Sequence, residues 1–224
     1  MFKHNLSMLG LAIGLTLASG AQATTITMSS FQNSPAQIAT INGGGHSGAV
    51  YAGGFNAMLD GTEAFIAYCV DTAQSFNWGQ VFSVTAVAAN DKFGASKALA
   101  MGQLYTQHFG SISNATESAA FQVALWEIVN EASSNALSLT TGDFKVTPWN
   151  AAVTGLASNW LNSLGGAGDA YDLTVLTNSS YQDQLMATLS VNPLSTVPEP
   201  QTLALVLVGF IAMGAVVRRR KLPV

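Results

Sequence analysis

Two short apolar runs, one near each end of the chain, confine the part that can fold in water to the residues between them. The first run, from Leu6 to Ala18, follows a basic lead and precedes Ala21-Gln22-Ala23. This order is typical of a secretory signal peptide, so residues 1–23 are predicted to be removed after Ala23. The second run, from Leu203 to Val217, is short against the roughly 17–25 residues of a membrane span. About 174 residues remain between them, enough for one globular domain with a sizeable core.

The C-terminal tail consists of three dissimilar parts in a fixed order. Val197-Pro198-Glu199-Pro200 comes first, the apolar run follows, and Arg218-Arg219-Arg220-Lys221 comes last. Because basic residues stay on the cytoplasmic side of a span, the tail by itself indicates a membrane anchor. The whole arrangement closely resembles the PEP-CTERM sorting signal of Gram-negative bacteria, here residues 198–224 after a spacer at 191–197. The resemblance implies processing by an exosortase, transient inner-membrane anchoring, and then a place at the cell surface or in an extracellular polysaccharide matrix.

The charge of the central region excludes a nucleic-acid partner. Between residues 24 and 197 the only lysines are Lys92, Lys97 and Lys145, arginine is absent, and eleven residues are acidic, which gives a net charge of −8. Nucleic-acid binding requires a basic surface, and this region has the opposite charge. Uncharged polar residues dominate instead, a composition that suits an extracellular domain among glycans.

Hydrophobic periodicity predicts an α+β domain over residues 24–190. We expect a β-sandwich or barrel-like sheet with an inserted helical subdomain, flanked by the signal peptide and a C-terminal anchor helix. Short strands joined by glycine turns are predicted before residue 60, and residues 64–70 have the length and apolarity of a buried central strand. Further strands are predicted at 81–87, 142–146, 171–177 and 183–189, and helices at 96–108, 115–132 and 150–164.

Cys69 is the only cysteine of the chain, although exported domains normally carry cysteines in pairs that form disulfides. Gln122 lies inside an otherwise apolar helical run, which Asn114 and Glu117 can cap as a capping-box-like pair. A thiolate held against a glutamine amide can expel ammonia and form an internal thioester, and the nearby positive helix end favours this step. Trp126, one turn later on the same face, is placed to shield the bond. We therefore predict a thioester between Cys69 and Gln122, ready for an amine or hydroxyl of a partner.

The same residues resemble a known family. Tyr68-Cys69-Val70 followed by Phe121-Gln122 and Trp126 on a helix is similar to the thioester domain of Gram-positive surface adhesins. The resemblance covers about residues 64–132. It implies a β-fold with a helical subdomain, a bond between Cys69 and Gln122, and packing roles for Tyr68 and Trp126. Phe121 departs from the family pattern, in which many members have a small hydroxyl residue before the glutamine.

The function implied by this resemblance is adhesion or extracellular-matrix attachment. The domain would capture a nucleophile on a partner once, without turnover, and so would not be an enzyme. No cofactor is expected for this chemistry. One cysteine and two isolated histidines in the mature region also predict no zinc site.

A non-covalent polysaccharide-associated or carbohydrate-binding protein without a thioester is the alternative. It accounts for the tail, the polar surface and the aromatic residues Trp78 and Trp149, which are expected to be exposed. It leaves the combination of Cys69 and Gln122 unexplained.

Two enzymatic alternatives have weaker support in the sequence. A cysteine hydrolase would pair Cys69 with His46 or His108, but no family signature surrounds the cysteine. A glycoside hydrolase would take a carboxylate pair from Asp71, Glu127 and Glu131. Glu127 and Glu131 are four residues apart on a predicted helix, a spacing that we interpret as a solvated acidic face.

Overall fold

The computed structural model describes residues 24–147 and 150–190. Its strands are β1 (Thr25–Phe31), β2 (Gln37–Gly43), β3 (His46–Ala52), β4 (Phe55–Leu59), β5 (Glu63–Cys69), β6 (Phe82–Ser83), β7 (Thr85–Ala88), β8 (Lys145–Thr147), β9 (Tyr171–Thr177) and β10 (Gln184–Leu189). Its α-helices are α1 (Ala89–Phe93), α2 (Ala95–His108), α3 (Ala115–Asn130) and α4 (Ala151–Ser163), with a short 3₁₀ turn at Phe109–Ser111.

Several predictions fall outside these ranges. The signal peptide, the spacer, the Val-Pro-Glu-Pro segment, the basic cluster and Trp149 all lie beyond the described residues. Within the ranges that are described, no helix has both the length and the apolarity needed to cross a bilayer.

The larger sheet is a nearly closed antiparallel barrel of seven strands in the order β6-β1-β4-β5-β10-β9-β7. Its two edge strands, β6 and β7, are consecutive in the chain with only Val84 between them. A flat sheet of this size would separate its edges by roughly 29 Å, since neighbouring strands lie about 4.8 Å apart. One residue cannot span that distance, so the sheet must curl until its edges approach each other. The α+β, barrel-like prediction is confirmed, whereas the single predicted strand at 81–87 is divided in two.

The segment between β7 and β9 holds the helices. It also contains β8, which joins β2 and β3 in a second sheet with the order β3-β2-β8. Helix α3 packs against α2, α4, β2, β3 and β5, and every residue from Ser118 to Val129 is buried. A helix that is buried all round belongs to the core, and α3 therefore joins the barrel to the other helices.

The start of α3 follows the local sequence closely. Asn114 Oδ1 accepts the backbone N–H of Glu117 at 3.0 Å, and Glu117 Oε2 accepts that of Ser113 at 2.7 Å. These bonds satisfy N–H groups at the helix start that have no partner within the helix. The cap fixes the first turn, and with it the rotation that turns Gln122 toward β5.

Strand β5 lies in the middle of the barrel. The predicted burial of residues 64–70 holds for residues 67–70, whereas Ala64 is exposed and Phe65 and Ile66 are half-buried. Strand β4 pairs with β5 only as far as Ala67, because the chain that precedes β4 lies outside the sheet. There the N–H of Gly54 donates to Ser118 Oγ on α3 at 2.9 Å. On the other side, Gln184 of β10 lies opposite Cys69. The backbone of Cys69 is therefore left without a strand partner on the side of β4.

Candidate functional site at Cys69 and Gln122

Gln122 occupies the place that β4 leaves open beside Cys69. The backbone N–H of Cys69 donates to Gln122 Oε1 at 3.0 Å, and Gln122 Nε2 donates to the Cys69 carbonyl oxygen at 2.8 Å. Both residues are buried, with exposed fractions of 1% for Cys69 and 0% for Gln122. The two residues that the sequence singled out are therefore in direct contact in the core.

These two hydrogen bonds fix the orientation of the Gln122 amide relative to the backbone of Cys69. If Sγ added to the side-chain carbon Cδ, negative charge would develop on the amide oxygen, which accepts the Cys69 N–H. The NH₂ group, which the Cys69 carbonyl holds, would leave as ammonia with the thiol proton as a C–S bond replaced the C–N bond. Such a step would need no other co-reactant.

The Cys69 thiol is held in its protonated form. Sγ donates to the Asp71 carbonyl oxygen at 3.0 Å. Burial raises the pKa of the thiol to about 12, and the contacts with Trp126 and the Asp71 backbone lower it only in part. The thiol is therefore the predominant form of Cys69 at neutral pH.

Trp126 lies beside the sulfur, one turn of α3 beyond Gln122. Its side chain is 2% exposed, and its Nε1–H makes no well-formed hydrogen bond within the described part of the chain. The indole is nevertheless close enough to Sγ to lower the pKa of the thiol. We take this as a contact outside ideal hydrogen-bonding geometry, because a buried donor without a partner is rare. The N–H is thus available to the thiolate or to an acyl oxygen.

Tyr68 faces away from the sulfur, because successive side chains of a strand point to opposite faces. Its ring packs on Phe121 with centroids 4.7 Å apart, and its hydroxyl lies 3.3 Å from Ser118 Oγ. Burial raises the pKa of this hydroxyl. Tyr68 therefore fixes β5 against α3, and the large Phe121 side chain fills the space beside it.

A cleft of about 560 Å³ opens beside Cys69. Cys69 and Trp126 line it together with aromatic and uncharged polar side chains from three strands and two loops. Among the described residues, no lysine, arginine or carboxylate lines it. The aromatic lining residues are Phe31, Tyr51, Phe55, Phe76 and Trp78, and the polar ones are His46, Thr72, Gln74, Ser75, Ser180 and Gln182.

The turn between β2 and β3 brings His46 to this cleft. Gly44 has a φ of +62°, and a side chain there would collide with Thr72 and Asn130. Thr72 Oγ1 donates to the Gly44 carbonyl oxygen at 2.7 Å and ties the turn to the loop after β5. The predicted glycine turn is confirmed. Its role in placing His46 depends on this long-range contact, which the sequence does not reveal.

His108 lies away from the cleft. Its ring stacks on Trp160 with centroids 4.7 Å apart and an interplanar angle of 16°, and burial lowers its pKa. Of the two histidines among the described residues, His46 is therefore the one that shares a cleft with Cys69.

The interpretation of Glu127 and Glu131 as a solvated acidic face is wrong. Their exposed fractions are 0% and 1%. Glu127 Oε1 accepts the N–H of Ser138 at 2.6 Å, and Glu131 Oε2 accepts the N–H groups of Asp143 at 2.8 Å and Phe144 at 3.3 Å. The two carboxyl groups thus fasten the segment between α3 and β8 onto the helix. An i, i+4 spacing does not show whether a chain segment covers that face.

Burial affects the two carboxyl groups differently. It raises the pKa of Glu127 to about 7, against the lowering effect of the Ser138 N–H and with a further rise from Glu131. Burial also acts to raise the pKa of Glu131, but hydrogen bonds from Asn135 and three backbone N–H groups hold it below its usual range. Both groups serve the fold and lie outside the lining of the cleft.

Comparison with known proteins gives structural neighbours only. No protein-family model matches the chain, and no curated protein matches its sequence. The N-terminal domain of the Streptococcus pyogenes pilus tip adhesin Cpa is 14% identical, with 71% of this chain and 98% of that chain covered and a TM-score of 0.43. The N-terminal thioester domain of a Clostridium perfringens surface protein is 11% identical, with 75% and 100% covered and a TM-score of 0.47.

A third neighbour is the N-terminal thioester domain of the fibronectin-binding protein SfbI from Streptococcus pyogenes. It is 13% identical, with 71% of this chain and 98% of that chain covered and a TM-score of 0.42. These neighbours are domains of Gram-positive surface proteins. At these scores we assign no residue role from the likeness, and the roles described above come from the contacts of this chain itself.

Proposed function

We propose that Cys69 and Gln122 form an internal thioester, and that this exported protein uses it to capture a partner covalently. The observation that carries the proposal is the pair of hydrogen bonds that fixes the Gln122 amide on the backbone of Cys69. Glutamine has a flexible side chain, and ordering it in the core costs conformational entropy. The same bonds satisfy the buried backbone of Cys69, and they bring the one thiol of the chain and a side-chain amide together in the core.

The thioester would then act as an acyl donor. An amine or hydroxyl of a partner attacks the Gln122 acyl carbon, the C–S bond breaks, and the proton of the nucleophile passes to sulfur. The Gln122 side chain becomes joined to the partner by an amide or ester bond, and Cys69 becomes a thiol again. Because the original amide is not restored, each molecule reacts once. The protein would therefore serve adhesion or matrix attachment rather than turnover.

The surroundings of the bond suit a long-lived acyl group. Cys69, Gln122 and Trp126 are all at most 2% exposed, so bulk water has little access to the bond. The cleft gives a partner group a route to the Cys69 side. A thioester that hydrolyses slowly and is accessible from the cleft would persist until a partner group reaches it.

The proposed setting is the cell surface or extracellular matrix of a Gram-negative bacterium. Export would use residues 1–23, and an exosortase-type enzyme would process residues 198–224 after transient anchoring in the inner membrane. This part of the proposal depends on the sequence resemblance of the tail, and the partner would be a polysaccharide or another surface molecule with an amine or hydroxyl.

A cysteine hydrolase would need a hydrogen bond between the Cys69 thiol and the His46 imidazole, and the described residues do not form one. Cys69 Sγ donates to the Asp71 carbonyl, while His46 Nε2 makes no hydrogen bond within the described residues. A thiol activated for hydrolysis is normally hydrogen-bonded to its imidazole, although that bond can be longer before substrate binds. Acyl capture is therefore the better account of Cys69.

Intact mass spectrometry of the purified protein tests the proposal. The wild-type protein should be lighter than its sequence by one ammonia molecule, and Cys69→Ala and Gln122→Ala should each have their full mass. Methylamine should then add to the wild-type protein alone and expose a titratable thiol. A full-mass wild-type protein whose thiol titrates without prior hydrolysis or amine treatment would overturn the proposal.

A further inference from the structure

The cleft beside Cys69 has a wall of aromatic side chains that thioester formation does not use. Four of its ring pairs have centroids 5.0–5.7 Å apart in tilted or edge-on contact: Phe31–Tyr51, Phe31–Trp78, Phe55–Phe76 and Phe76–Trp78. We call Phe31, Tyr51, Phe55, Phe76 and Trp78 the aromatic wall. Tyr51 is 61% exposed and Trp78 is 48% exposed, so two of the five rings present large surfaces to solvent.

The loop that carries Trp78 is held in place by hydrogen bonds to the loop before β10. Gln74 Nε2 donates to the Ser179 carbonyl oxygen at 3.1 Å, and Gln182 Nε2 donates to the Gln74 carbonyl oxygen at 3.1 Å. The Gly79 N–H donates to the Met28 carbonyl oxygen of β1 at 2.8 Å. The wall is therefore formed before any ligand arrives, which reduces the entropic cost of binding.

The lining of the cleft indicates a neutral ligand. Its polar groups are amides, hydroxyls and one imidazole, and no carboxylate or cationic chain lines it among the described residues. An anionic ligand would lose water here without gaining an opposite charge, and a cationic ligand would gain only attraction to the faces of the aromatic rings. Mostly apolar and aromatic walls with a few polar groups are typical of small-molecule sites. A pyranose ring matches this lining, because it has a C–H face that stacks on aromatic rings and hydroxyl groups around its edge.

Unused hydrogen-bonding capacity supports the same ligand class. His46 Nε2 and Gln74 Oε1 belong to lining residues, are shielded from water, and make no hydrogen bond within the described residues. Trp126 Nε1 is shielded in the same way and borders Cys69 Sγ without a well-formed hydrogen bond. The set includes an acceptor in Gln74 and a donor in Trp126. A hydroxyl group can satisfy both kinds of atom after small side-chain movements, whereas an ammonium group supplies donors only.

We propose that the cleft binds a neutral oligosaccharide non-covalently, with its rings stacked on Tyr51 and Trp78 and its hydroxyl edge toward Cys69. Binding at the aromatic wall does not require the thioester. A second consequence rests on the proposed function: a sugar hydroxyl held in this cleft would be the nucleophile that the thioester captures. The protein would then select its partner by the wall and attach to it at Gln122.

The test uses the purified Cys69→Ala protein, so that covalent capture cannot contribute. Isothermal titration measures its affinity for neutral hexasaccharides of β-1,4-linked glucose, xylose and mannose, and of α-1,6-linked glucose. Hexagalacturonate and hexylamine serve as the anionic and cationic comparisons. At least one neutral hexasaccharide should bind saturably, and adding Trp78→Ala should weaken that binding at least tenfold. Tyr51→Ala is the second wall variant, and Leu99→Ala, at a site 53% exposed on α2, is the matched control.

The outcomes separate the possibilities. The proposal is supported if both wall variants lose sugar binding at an unchanged melting temperature, while Leu99→Ala binds sugar as tightly as the Cys69→Ala parent. Absence of binding to every neutral hexasaccharide overturns it, as does binding that Trp78→Ala and Tyr51→Ala leave unchanged. Preferential binding of hexylamine at the wall would overturn it in favour of an amine ligand. The ammonia deficit of the wild-type protein is measured independently, so failure of the sugar site and failure of the thioester are distinguishable.

Discussion

The side-chain amide of Gln122 pairs with the backbone of Cys69 as a neighbouring strand would, accepting one hydrogen bond at 3.0 Å and donating another at 2.8 Å. This pair of contacts therefore completes the sheet edge. The stability of the barrel and the proposed thioester chemistry both depend on this side chain, so its replacement can be tested by stability as well as by mass.

Gln122→Ala should destabilise the protein by about 2–4 kcal/mol, because it removes buried side-chain atoms and leaves a buried N–H and C=O of Cys69 without partners. Chemical denaturation, compared with a Cys69→Ala parent to exclude the covalent bond, measures the effect. Gln107→Ala is the control, since Gln107 is an exposed helical glutamine that bonds only the Gly165 carbonyl. A Gln122 variant as stable as the Gln107 variant would contradict the prediction.

Trp126→Phe should retain most of the packing but slow the reaction of the proposed thioester with methylamine by about tenfold or more, because it removes an N–H donor that lies beside the Cys69 sulfur and makes no well-formed hydrogen bond among the described residues. The time course of the methylamine adduct, followed by mass spectrometry, gives the rate. Trp160→Phe is the matched control on α4, where the indole stacks on His108 away from the cleft. Equal rates of the methylamine reaction in the wild-type protein and both variants would show that Trp126 contributes packing only.

Glu127→Gln should change how stability depends on pH. The pKa of Glu127 is about 7 in the folded protein against 4.5 in the unfolded chain. A carboxyl with a raised pKa contributes stability below its unfolded value and loses it as the pH rises through its folded value. Between about pH 4.5 and 8, the free energy of unfolding of the wild-type protein should therefore fall by about 1–2 kcal/mol relative to that of Glu127→Gln, after allowance for solvent screening.

The control for this pH effect is Glu117→Gln. Hydrogen bonding to the Ser113 backbone N–H lowers the pKa of Glu117, so its contribution is lost as the pH falls. The two variants should thus differ from the wild-type protein with opposite slopes in denaturation measured at several pH values. Parallel curves for Glu127→Gln and the wild-type protein would show that Glu127 does not titrate in this range.

Gly44→Ala should be more destabilising than Gly61→Ala by about 2 kcal/mol, measured by denaturation. Both glycines have positive φ, +62° and +70°, so both variants carry the same backbone strain. A side chain at Gly44 meets Thr72 and Asn130, whereas one at Gly61 has no atom within 4 Å. Equal losses of unfolding free energy in the two variants would show that the turn can move away from Thr72 without cost. The contact would then not hold His46 in place.

The prediction of the candidate site from the sequence was partial, for physical reasons that differ between residues. Cys69 and Gln122 stood out because a lone cysteine is unusual in a chain whose sequence predicts export and a glutamine is unusual in an apolar helical run, and the structure brings the two together. The burial of Glu127 and Glu131 was not predicted, because it depends on the segment at 131–144 folding back over α3. The aromatic wall was missed because its five rings come from three strands and a loop that are separate in sequence.

The sequence by itself determined the features that neighbouring residues can decide. Asn114 and Asn150 begin α3 and α4 because their side chains accept backbone N–H groups within the next three residues, and Gly43–Gly45 turn the chain because glycine tolerates positive φ. Only the tertiary structure decided the closure of the barrel at Val84, the end of β4 that leaves Cys69 open to Gln122, and the cleft beside the thiol. Those features depend on contacts between residues that are distant in the sequence, and such contacts form only when the whole core packs.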